Sequence, residues 1–201
     1  MPRLPCLQSA TAPCKPGRPL SGLLLGLALS TAVIAAEVHD VSVTHHDGRY
    51  RIFMRVDIAA NPQRAMDVFT DYQNLTLINP AVKEVQILAS KDDYSQIRTR
   101  IEICVLWVCK DVVQVQDMRR EGLRLKARVV AAQSDLRYGK AKWHVWECRS
   151  SEAERACLTL HAELEPDFWV PPLIGPYVMK RMLAEEALIT SRGIERLAQT
   201  Q

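Results

Sequence analysis

The sequence predicts an α+β fold: a curved antiparallel β-sheet wrapped around a long C-terminal helix, with two short helices following the opening strand segment. Three observations predict it. After Pro176 no proline interrupts the chain, and Val178, Met179, Met182, Leu183, Ile189, Ile194 and Leu197 recur at three- and four-residue steps, the spacing of one helix face. Upstream, five segments of alternating polarity follow one another across short polar connections, as in an antiparallel meander. Between the opening strand segment and this meander, Asn61-Pro62 combines a capping side chain with a proline suited to a first helical turn.

In order, the first strand is expected over Val38–Thr44, with His45-His46-Asp47-Gly48 as the turn after it. A half-buried strand follows, in which Tyr50, Ile52, Met54, Val56 and Ile58 alternate with Arg51, Phe53, Arg55 and Asp57. The helix begun at Asn61 buries Ala65, Val68, Phe69 and Tyr72, and Asn74–Pro80 forms a second short helix or turn. Strands are then expected over 82–88, 95–104, 109–118, 123–132, 140–148 and 156–165. In the last two, Trp143 and Val145 share one face, and Leu158, Leu160, Ala162 and Leu164 share another of the same kind. Prolines at 166, 171, 172 and 176 keep the next segment from becoming helix before Tyr177. On the final helix, Lys180, Arg181, Glu185, Ser191, Arg192 and Glu195 are expected on the wet side.

The chain has 201 residues, with 26 basic and 23 acidic side chains. Residues 1–36 read as a secretory leader. Arg3, Lys15 and Arg18 give a basic start without acids, and Leu20 to Ala36 is apolar, short for a membrane span and closed by small residues. Cleavage is expected near Ala35 or Ala36, leaving one ligand-binding domain over 37–201, exported to a bacterial periplasm or cell envelope. Without the leader's three cations the domain is neutral and carries no basic run, which argues against nucleic acid as a partner.

Four cysteines remain beyond the leader: Cys104, Cys109, Cys148 and Cys157. An even count in an exported chain points to disulfides, and four cysteines allow three pairings. Cys104 and Cys109 flank one expected hairpin tip, and Cys148 and Cys157 flank another, so the local pairing is preferred. No Cys-x-x-Cys knuckle is present to favour zinc.

The stretch Ile58-Ala59-Ala60-Asn61-Pro62, with Ala65, Val68-Phe69-Thr70-Asp71-Tyr72, Leu75 and Ile78-Asn79-Pro80, resembles the opening of the START-like, helix-grip superfamily. Within that superfamily it is most similar to the polyketide cyclase/dehydrase and coenzyme Q-binding family. The resemblance extends over roughly Val43 to Leu197. Members include lipid and isoprenoid carriers, aromatase/cyclases and a ribosome-associated toxin, so the resemblance implies a deep apolar cavity closed by the last helix. The leader and the two cysteine pairs set this chain apart from the mitochondrial quinone-binding members.

No nucleophile elbow, phosphate loop or zinc-protease motif is present. The sequence therefore names no catalytic residue, metal ligand or cofactor, and the balance lies with binding rather than catalysis. Glu186, with Thr190 and Gly193, falls inside the apolar helix face. A carboxylate there either meets a ligand head group or forms a salt bridge to a sheet arginine such as Arg98 or Arg100. Gly193 either leaves ligand space or permits close packing. Met179 and Met182 adapt to irregular shapes, Trp143 faces the helix from the sheet, and Tyr72 and Tyr138 could place hydroxyls at a cavity mouth. Phe168 and Trp169 form an apolar run on the proline-stiffened loop, where guarding the pocket or transiently touching a membrane are both open roles. The expected ligand is a hydrophobic small molecule such as a lipid, isoprenoid or quinone, bound by a monomer; the alternative is a polyketide cyclase/dehydratase-like enzyme using the same cavity.

Overall fold

The structure is a computed structural model that describes residues 36–105, 108–148, 155–168 and 175–200. Residues 1–35 of the expected leader and Trp169 lie outside the described residues.

Eight strands form one antiparallel sheet: β1 (Glu37–His46), β2 (Arg49–Ile58), β3 (Val82–Lys91), β4 (Tyr94–Val105), β5 (Val108–Glu121), β6 (Arg124–Val129), β7 (Leu136–Glu147) and β8 (Ala156–Pro166). Their spatial order is β1-β2-β8-β7-β6-β5-β4-β3. Among the described residues three α-helices accompany the sheet: α1 (Pro62–Phe69), α2 (Leu75–Ile78) and α3 (Gly175–Thr200). The predicted α+β architecture, with a long last helix on one face of an antiparallel sheet, is the one observed.

The strands outrun their sequence-based bounds where a turn is tighter than composition suggests. β1 continues through His45 and His46, and the turn needs only Asp47 and Gly48, both at positive φ (50° and 78°). That is the backbone a two-residue hairpin demands. β6 is shorter than expected and stops at Val129. A short 3-10 turn at Ala131–Gln133 follows, and Ser134 and Asp135 then bind β5: the Ser134 hydroxyl and the Asp135 carboxylate accept from the Val115 and Val113 N–H groups, each at 2.8 Å. Asp135 is thus a turn residue.

The period-two pattern of β2 sorts its side chains cleanly. Tyr50, Ile52, Met54, Val56 and Ile58 are buried on the inner face. All but Tyr50 join Ile97, Met118, Leu125, Val145, Leu158 and Leu160 in one core. α1 starts as predicted, with the Asn61 side chain accepting from the Gln63 and Arg64 N–H groups. Its far end is held by Arg120, whose guanidinium donates to Thr70 Oγ1 and Asp67 Oδ1 at 2.8 and 2.6 Å.

Both local disulfides are present, Cys104–Cys109 and Cys148–Cys157. Each joins residues on adjacent strands or at their ends.

The rotation of α3 corrects the sequence-based face. Ser191, expected in water, is buried, and Glu195 is half-buried. The covered stripe runs through Ala184, Ala187, Ser191, Ile194 and Ala198. The helix lies against β1 and β2, with α1 and α2 alongside. Periodicity weights large residues, whereas close approach selects small ones. The Ser191 hydroxyl costs little there because it donates to the Ala187 carbonyl one turn back, at 2.7 Å. Glu195 is drawn inward by the Ala59 N–H, which it accepts at 2.7 Å.

Gly193 sits where α3 crosses α2. A methyl group there would collide with the Ile78 backbone, lying 2.8 Å from its carbonyl carbon and 2.9 Å from its Cα. Close packing is therefore the reading the geometry takes. Alanine gains up to about 1 kcal/mol over glycine inside a helix, but forcing atoms into packed backbone costs about 1–3 kcal/mol or more. Gly193→Ala is expected to lower stability in urea unfolding by about 1–3 kcal/mol; an increase would mean the crossing is looser than described.

Candidate functional site

The polar residues of the α3 face converge on one asparagine. Asn79 follows α2 in extended conformation and is 9% exposed. Its Oδ1 accepts from the Ala81 N–H at 2.8 Å, and its Nδ2 donates to Glu186 Oε2 at 2.7 Å and to Thr190 Oγ1 at 2.9 Å. Glu186 and Thr190 meet the same amide because residues four apart share a helix face. Glu186 is half-buried and is bound here through a neutral donor.

The expected salt bridge from Glu186 to Arg98 or Arg100 is not formed. Arg98 pairs with Glu84 at 3.7 Å, and Arg100 pairs with Glu84 and Asp111 at 3.3 and 3.1 Å. The reason is strand parity. Ile97 lies in the core, so Arg98 and Arg100 project from the opposite face of β4.

Opposite the helix, the inner face of the sheet carries a row of small side chains. Ala127 of β6, Ala141 of β7 and Ala162 of β8 are direct cross-strand partners and pack on the core side. The neighbouring row, Leu125, Trp143 and Leu160, is large. Trp143 is half-buried, its ring meeting Phe69 of α1 edge-on at 5.6 Å between centroids. Tyr72, just after α1, packs against the same core. Burial pushes its pKa up to about 12, against the lowering influence of Arg120.

The other expected site residues are more dispersed. Met179 and Met182 are half-buried near the start of α3. Phe168 lies under Lys110, whose Nζ is 4.1 Å from the ring centroid. Tyr138 is on the outer face, beneath the Arg49 guanidinium at 4.4 Å. His144 and His161, which are not among the expected site residues, are exposed on the same face.

One buried polar group escaped the sequence reading. The Tyr50 side chain is 1% exposed, and its hydroxyl has no hydrogen-bond partner among the described residues. Burial raises its pKa. The alternation that marks Tyr50 as core says nothing about where its hydroxyl ends.

Chemically, this arrangement offers an apolar floor with small side chains and isolated polar groups around it. Asp57, Cys148 and Cys157 cluster closely enough to suggest a metal, but both sulfurs are committed to a disulfide. Among the described residues no helix is long and apolar enough to cross a membrane.

A family model described as polyketide cyclase / dehydrase and lipid transport matches residues 58–185. The chain belongs to this family. Solved structures similar to this polyketide cyclase/lipid-transport family member include the Zhui aromatase/cyclase from Streptomyces sp. R1128, at 13% identity and a TM-score of 0.60, covering 75% of this chain and 94% of that one. A START superfamily protein from Mycobacterium smegmatis is similar at 18% identity and a TM-score of 0.57, covering 74% of this chain and 97% of that one. A Thermus thermophilus protein is similar at 18% identity and a TM-score of 0.56, covering 75% and 99% respectively. Likeness at these identities concerns the fold. A search of curated proteins finds no match.

Removing the asparagine amide tests the polar junction. Asn79→Ala leaves Glu186 and Thr190 without their shared donor, and a lost partner for a partly buried polar group costs about 1–3 kcal/mol. A drop of that size is expected in chemical denaturation, and no drop would show that water replaces the amide without cost.

Proposed function

We propose that this polyketide cyclase/lipid-transport family member is an exported START-like carrier. It holds a hydrophobic small molecule, such as a lipid, isoprenoid or quinone, between α3 and the inner face of the sheet. The observation that carries the reading is the alanine row, Ala127, Ala141 and Ala162. Ala127 is itself buried, whereas Ala141 and Ala162 stay half-buried, and small side chains at the centre of a face otherwise lined by Leu, Ile, Val and Trp leave apolar surface for a ligand to cover. The placement of α3 supports it, because the helix leans on β1 and β2 rather than across β6 and β7.

Binding is preferred to catalysis on the same grounds. A cyclase needs an acid or base positioned against its substrate. Of the carboxylates on α3, Glu186 is engaged by the Asn79 amide and Glu195 by the Ala59 N–H. The polar groups thus suit orientation of a head group better than proton transfer.

Native mass spectrometry of the protein purified from the cell envelope, followed by solvent extraction, tests the carrier. A co-purifying apolar molecule of defined mass is expected. Protein that carries none, and that also fails to bind a lipophilic fluorescent probe, would overturn the reading.

Export is tested separately by intact mass. The purified chain should begin at Ala36 or Glu37, and a mass retaining Met1 would refute cleavage.

A further inference from the structure

The outer face of the sheet holds a concentration of positive charge that the overall composition conceals. Cross-strand register places Arg119, Lys126, Lys142, His161, Phe53 and Ser42 in one row from β5 to β1. The adjacent row is Asp117, Arg128, Lys140, Glu163, Arg51 and Thr44. Six lysines and arginines and two carboxylates stand in these rows, a surplus of four, although residues 37–201 as a whole carry equal numbers of basic and acidic side chains.

The arrangement works against folding. Arg119 stands directly opposite Lys126, Lys126 opposite Lys142, and Arg128 opposite Lys140. Like charges directly opposite one another destabilise a sheet. Carboxylates outside the rows take up two of the cations, Lys126 pairing with Glu121 at 2.7 Å and Arg119 lying 3.9 Å from Asp93, while the two within the rows relieve little of the rest. Asp117 is occupied by the Tyr94 hydroxyl and the Gln96 amide at 2.7 and 2.8 Å, and Glu163 is shared between Lys140 at 2.9 Å and Arg51 at 3.7 Å. Arg128 and Lys142 are exposed and have no ionic partner among the described residues.

At one end of these rows lies a groove of about 570 Å³. Ser42 and Thr44 form its hydroxyl-bearing rim on β1, Lys140 and Lys142 its cationic rim on β7, and Phe53 and His161 lie between, their rings 4.9 Å apart, beside Arg51 and the Glu163 carboxylate that pairs with Lys140. Hydroxyls, ammonium groups and an aromatic ring together suit a phosphate head group with its adjoining apolar chain.

We propose that this outer sheet face docks the protein onto a membrane surface rich in anionic phospholipid. Charge complementarity selects an anionic partner. The two-dimensional spread selects a bilayer: the rows cross six strands, roughly 24 Å at about 4.8 Å per strand, and run two abreast, whereas a polynucleotide offers its charges along a line. Commitment to a bilayer also rests on the carrier reading, since a carrier of water-insoluble cargo must visit one. The surface used is the sheet face away from α3, so docking and cargo binding occupy opposite sides of the sheet.

Vesicle flotation tests this with the chain as purified from the envelope. Phosphatidylcholine vesicles containing phosphatidylglycerol should retain the protein at low salt, and phosphatidylcholine vesicles should not. The triple variant Lys126→Gln, Arg128→Gln, Lys142→Gln should lose on the order of 100-fold in partitioning, from roughly fivefold per cation near an anionic surface. It should fold about as stably as the parent, because relief of like-charge neighbours offsets loss of the exposed Lys126–Glu121 pair. Lys180→Gln with Arg181→Gln, on the exposed side of α3, should bind as the parent does. Equal binding by the triple variant, or parent binding to an acidic peptide or oligonucleotide but not to anionic vesicles, would overturn the proposal. Cargo detected by native mass spectrometry separates the two readings: vesicle binding lost with cargo retained leaves the carrier standing, and cargo absent with charge-dependent vesicle binding retained removes the carrier alone.

Discussion

The domain depends on how one helix is fastened to a single stretch of chain. α3 reaches residues 59–79 through four polar contacts and one backbone crossing. Glu195 accepts from the Ala59 N–H, Arg196 donates to the Leu77 carbonyl at 2.6 Å, and Glu186 and Thr190 share the Asn79 amide. Gly193 lies against the Ile78 backbone between them. All five residues fall between 186 and 196, from the middle of α3 toward its C-terminal end. They set its position over β1 and β2, and that position in turn decides how much of the inner sheet is left to other apolar groups.

The constraint also explains what the helix residues are. Where backbone meets backbone, glycine, alanine and serine are required, and the large apolar residues are displaced to the flanks. Methionine at 179 and 182 tolerates such half-buried positions, since its unbranched chain accommodates irregular surroundings. The sheet follows a complementary rule. Its inner rows alternate between large side chains that fill space and an alanine row that does not.

Much of the fold was legible in the sequence, because strand alternation, the Asn61-Pro62 helix start and the uninterrupted final helix each leave a local pattern. The disulfide partners were also legible, since each pair brackets a hairpin tip. Less could be read where the decisive contact joins distant segments. Glu186 stood out in the sequence as a carboxylate among apolar neighbours, and the structure joins it to Asn79. Its partner could not be deduced, because choosing Asn79 over Arg98 requires knowing which face of β4 looks inward. Ser191 was placed on the wrong side for a related reason: a small hydroxyl residue satisfied by its own helix has no sequence signal of burial. Register between strands is likewise invisible locally, and with it the gathering of scattered lysines and arginines into two rows.

The placement of the disulfides has a mechanical consequence. Cys104–Cys109 ties β4 to β5, and Cys148–Cys157 ties the end of β7 to the start of β8. Each crosslink therefore closes a loop within one layer, and no bond of this kind among the described residues spans the gap to the other. Oxidation stiffens the sheet against shear between neighbouring strands while leaving its separation from α3 to weak forces alone. Under tension or mild denaturant, the two layers would part along their shared seam before either hairpin tip came undone, and they could rejoin without any thiol chemistry.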